Sequence, residues 1–100
     1  MLSLSDVERI AQDSAATTLK RAGLRVSAEP IADEYGKDAY EVTVVLPGDG
    51  APLPTGLQAI EFLSLTRQTL SASGDDGFPY VSYVTEAELA SEAFEANGRA

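Results

Sequence analysis

AYEVTVVL, residues 39–46, decides the fold. In an extended chain Tyr40, Val42, Val44 and Leu46 share one face, and Glu41, Thr43 and Val45 share the other. The stretch lacks proline and is rich in β-branched residues, so it predicts the central strand of a sheet. A central strand needs a neighbour on each side and a cover for its apolar face. The flanking sequence supplies both.

Towards the N-terminus, DEYGKD (33–38) turns the chain, with Gly36 free to take a positive φ. Before it, Leu24, Val26 and Ala28 alternate with Arg25, Ser27 and Glu29, the pattern of a half-buried strand. Pro30 cannot donate to a ladder, so this strand lies at an edge or ends there. Further back, Val7, Ile10, Ala11, Ala15, Thr18, Leu19 and Ala22 recur at three-four spacing and predict a helix from about Asp6 to Ala22. Ser5-Asp6-Val7-Glu8 has the form of a capping box at its start, and Lys20 and Arg21 suit its last turn. Gly23 offers a left-handed residue beyond.

Towards the C-terminus, PGDGAPLP (47–54) is a loop rich in proline and glycine. Thr55-Gly56-Leu57-Gln58 is a second capping box and opens a helix from about Gly56 to Ala72. Its apolar residues form more than one stripe. Ala59, Leu63 and Leu70 cluster near Ile60, whereas Phe62 and Leu65 point away from them. Such a helix is central in the core or presents an interface. It is the expected cover of the sheet and the first candidate for a contact surface. FPYVSYV (78–84) reads as the last strand, with Pro79 favouring an edge position. Thr85-Glu86-Ala87-Glu88, a third capping box, opens a helix from Glu86 to about Ala96, with Leu89, Ala93 and Phe94 packed inward and Asn97-Gly98 at its end.

The order is α-β-β-α-β-α, which predicts a single small α+β domain over residues 1–100. It has a three-stranded mixed sheet with helices mainly on one face. The first two strands form an antiparallel hairpin, and the helix before the third makes a right-handed crossover. Small α+β modules such as the type II KH domain share this sort of order, and order alone carries no function across.

The 100 residues include no cysteine and no histidine. That removes disulfides, thiolate zinc sites, the usual general base at neutral pH and the Ser-His-Asp arrangement. No apolar run reaches the roughly 18 residues of a membrane span. The start MLSLSDVERI lacks the basic and apolar regions of a secretory signal, so a cytoplasmic protein is expected. No cofactor, catalytic residue or metal-ligand set is predicted. The net charge is -9, unevenly placed. The first 25 residues hold Arg9, Lys20, Arg21 and Arg25, whereas between Arg67 and Arg99 there is no basic residue. Such a field repels phosphate backbones and attracts basic surfaces.

Gly74-Asp75-Asp76-Gly77 has the spacing of a G-x-x-G nucleic-acid clamp. A clamp needs a helix on both sides, and Pro79 forbids one; two aspartates would also repel the phosphate. As a cation loop it offers one adjacent pair of carboxylates rather than ligands spaced along a loop, and Asp33, Glu34 and Asp38 are equally unpatterned. A turn between helix and strand is the remaining reading. Serines have no visible activating base, and PGDGAPLPTG lacks the lysine of a phosphate-binding loop. The sequence therefore predicts no enzyme.

What remains is a small acidic protein that binds a protein partner, expected to be basic, in the manner of an antitoxin, an immunity protein or an adaptor. Self-association into a homo-oligomer belongs to the same class. Glu86, Glu88, Glu92 and Glu95 would steer the partner, with Phe62 and Leu65 as apolar anchors. Val81 and Tyr83, on the strand face opposite Tyr80, are further contact candidates. The alternative is a KH-like RNA or ribosome-associated factor using the basic end of the first helix.

Overall fold

The computed structural model describes residues 2–48 and 52–90. Its elements are α1 (Leu4–Thr18), β1 (Arg25–Ala32), β2 (Asp38–Leu46), α2 (Gly56–Ala72) and β3 (Phe78–Thr85), followed by a helical segment at 86–90 (α3). The domain is α+β, in the order α-β-β-α-β-α. The sheet order is β1-β2-β3, with β1 antiparallel and β2-β3 parallel, so AYEVTVVL is the central strand.

Register fixes which residues share a face. Tyr40, Val42, Val44 and Leu46 stand beside Pro79, Val81, Tyr83 and Thr85 on one flank. On the other flank Val26 and Ala28 stand beside Val44 and Val42. This face packs with Val7, Ile10, Ala11, Ala15 and Leu19 of the α1 segment and with Phe62 and Leu70 of α2 in one core. Helices thus cover one face, as the pattern predicts.

Three details depart from the sequence reading. Helix α1 is capped by Ser3, whose hydroxyl accepts from the Asp6 amide, rather than by Ser5. It ends at Thr18, four residues early. The Thr17 and Thr18 hydroxyls donate back to the Asp13 and Ser14 carbonyls, and Lys20 takes a φ of 53° that no helix continues. Strand β1 runs through Pro30 to Ala32 at the edge of the sheet, the first of the two readings of Pro30. An edge strand tolerates that, since proline only forgoes a donor. The Thr55 capping box forms in full: Gln58 N–H donates to the Thr55 hydroxyl and Thr55 N–H to the Gln58 side chain, both at 3.1 Å. Leu89 is 41 % exposed rather than packed inward. Ala93, Phe94 and Asn97-Gly98 lie outside the described residues, as do Glu92 and Glu95.

Candidate functional site

The GDDG segment is a turn, and its residues explain themselves. Gly74 takes a φ of +89°, open to glycine at no steric cost. Asp75 is buried; its carboxylate accepts from the Tyr40 hydroxyl at 2.5 Å, from the Gly77 amide at 2.8 Å and from the Leu2 amide at 3.4 Å. Gly77 has no room for a side chain, because a Cβ there would lie 2.6 Å from the Tyr40 ring. Burial pushes the Tyr40 phenol up to about 12, with the Asp75 carboxylate adding to it. For Asp75 burial acts to raise the pKa, but the donated hydrogen bonds outweigh it and hold the carboxyl below its ordinary value. This network clamps the start of β3 to the central strand. It leaves the Asp75 carboxylate occupied inward. A depression of about 390 Å³ beside it is lined by Asp33, Lys37, Asp38 and Asp76 among others. The Asp33 carboxylate is itself taken up by the Tyr35 and Lys37 amides of its own turn.

The two edges of the sheet are built differently. On β1, α1 reaches across the backbone: the Gln12 side chain accepts from the Val26 amide and donates to the Leu24 carbonyl, each at 3.1 Å, and the Glu8 carboxylate accepts from the Ala28 amide at 3.5 Å. Exposed Arg25, Glu29 and Pro30 blunt that edge further. On β3 there is no such cover among the described residues. The backbone groups of alternate residues, Val81 and Tyr83 among them, point away from β2; Pro79 lacks an N–H, and FPYVSYVT contains no charge.

Beside the β3 edge runs a groove of about 280 Å³, lined by Ala59, Ile60 and Leu63 of α2 and by Phe78, Tyr80, Val81 and Tyr83. Residues from both faces of β3 line it, so it follows the strand's open side. Ile60 is 64 % exposed, Leu57 one turn earlier 67 %, and Tyr80 45 %. Burial raises the Tyr83 phenol above its ordinary pKa. At one end the Arg67 guanidinium stacks over Phe78 at 4.8 Å, and Phe78 meets Tyr80 at 4.7 Å between ring centroids. At the other end stand exposed Glu86 and Glu88; Glu88 accepts from the Thr85 hydroxyl at 3.1 Å.

The predicted contact residues are thereby re-sorted. Phe62 is wholly buried against the core and cannot anchor a partner; the outward apolar residues of α2 are Leu57 and Ile60. Leu65 is half-buried, in a cleft between α1 and α2 with Ile10 and Thr69. Val81 and Tyr83 stand on the helix-covered face, half-buried at its margin, where they line the groove. Of the basic residues near α1, Arg9 pairs with Asp6 at 3.5 Å, and Arg21 donates to the Pro52 carbonyl. Among the described residues no helix is long and apolar enough to cross a membrane. Compared with known proteins, the chain matches no family model, no curated protein and no solved structure.

Proposed function

We propose that this chain is a non-enzymatic protein-binding module, and that it binds by accepting an extended segment on the free edge of β3. One observation carries the reading: Gln12 and Glu8 take up the Val26 and Ala28 amides on the β1 edge, whereas among the described residues nothing covers the uncharged β3 edge beside an apolar groove. An added strand would gain main-chain hydrogen bonds from the edge and side-chain pockets from the groove. The net charge of -9 supports a partner with a basic surface, steered from a distance by exposed acids such as Glu86 and Glu88. An antitoxin, immunity or adaptor role in the cytoplasm fits this mode.

The test uses the immobilised chain and its Ile60→Glu variant against lysate of the source organism. Ile60 is solvent-exposed, so the substitution leaves the core intact. Proteins retained by the parent at low salt are expected to be lost by the I60E variant. Equal retention by both would overturn the reading.

A further inference from the structure

We infer that the segment accepted by β3 is the β3 of a second copy, paired antiparallel about a two-fold axis to give a continuous six-stranded sheet. This rests on the reading of β3 as a binding edge, and at that edge it puts a second, equally acidic copy in place of a basic partner. The strand can pair with itself with Ser82 opposite Ser82 of the second copy. Residues directly opposite in an antiparallel pair share a face. In this register Tyr80 meets Val84 of the second copy on the open face, and Val81 meets Tyr83 on the helix-covered face. Aromatic and β-branched residues are favoured cross-strand partners. The paired spans carry no charge, so no like charges oppose each other.

Charge at the ends agrees. Phe78 lies at the end of the paired span, near where the second copy leaves β3 for α3 at Glu86, and the Arg67 guanidinium already lies on the Phe78 ring. The two-fold therefore sets a cation beside an exposed carboxylate at both ends. Asp76 lies beyond the paired span, and Glu88 is held back on the Thr85 hydroxyl. A strand laid along β3 also covers the groove and with it Ile60. Assembly stops at two. Among the described residues β3 is the less hindered edge, because Gln12 and Glu8 take up the outward Val26 and Ala28 amides of β1 and Pro30 offers none.

Sedimentation equilibrium of the full chain over a range of concentrations tests this. The expected result is a species of twice the 10.5 kDa chain mass. Ser82 is exposed, so Ser82→Lys leaves the fold intact while setting two ammonium groups face to face on the axis. It should raise the dimer dissociation constant by about tenfold or more, as like charges directly opposite destabilise a sheet. Arg67→Glu should raise it by about fivefold, from two modest exposed ion pairs, and adding Glu86→Arg should restore it. A dimer unaffected by Ser82→Lys overturns the inference. So does a chain that stays monomeric yet retains a different protein that Ile60→Glu releases, an outcome that leaves the binding reading standing. A monomer that retains nothing overturns both.

Discussion

Tyr40 and Asp75 tie the central strand to the turn from which β3 starts, and their chemistry is measurable. The Tyr40→Phe variant removes a charge-assisted donor and leaves a buried carboxylate one partner short. It should cost about 1.5–3 kcal/mol in denaturant unfolding. The same phenol sets a pH dependence. Its folded pKa of about 12 lies above the ordinary 10.0, so the fold favours the neutral form. Its contribution is complete below pH 10.0 and is lost as pH rises through about 12. Melting curves should therefore fall across that window in the parent and fall less in the Y40F variant, which lacks this phenol. Identical alkaline profiles would contradict the assignment.

At the scale of elements, α2 does two tasks on two sides. Phe62, Thr66 and Leu70 face the core, four residues apart, with the Thr66 hydroxyl donating back to the Phe62 carbonyl at 2.8 Å. Phe62→Ala should cost about 3–5 kcal/mol in unfolding, the behaviour of a core residue rather than a contact residue. A loss of binding with stability intact would contradict its placement. The start of α2 was legible, because Thr55 and Gln58 form a cap that sequence spacing reveals. Strand β3 was nearly so, bounded by the GDDG turn and Thr85. Which side of α2 faces the sheet was not legible. Helical spacing separates Phe62 from Ile60 without saying which is inside, and buried Thr66 gives no apolar signal. The closing of the β1 edge was equally hidden, since Gln12 lies 14 residues from Val26 and Glu8 20 from Ala28. Only packing brings such pairs together.

At the scale of the whole molecule, the described residues form an asymmetric fold: a helix-covered face, a β1 edge partly taken up by α1 side chains and a β3 edge that none of them covers. Acidic charge over most of the chain keeps copies apart in general, while the uncharged β3 is a place where two copies can meet without repulsion. Net charge and edge composition thus act on different distances, the first on encounter and the second on the bound state. The most direct measurement is residue-resolved amide hydrogen exchange of the full chain, dilute and concentrated. The account predicts that in dilute solution the outward amides of β3 exchange fast while those of Val26 and Ala28 are protected, and that concentration protects the β3 amides alone. Outward β3 amides as protected as Val26 and Ala28 in the dilute chain, with no change on concentration, would contradict it.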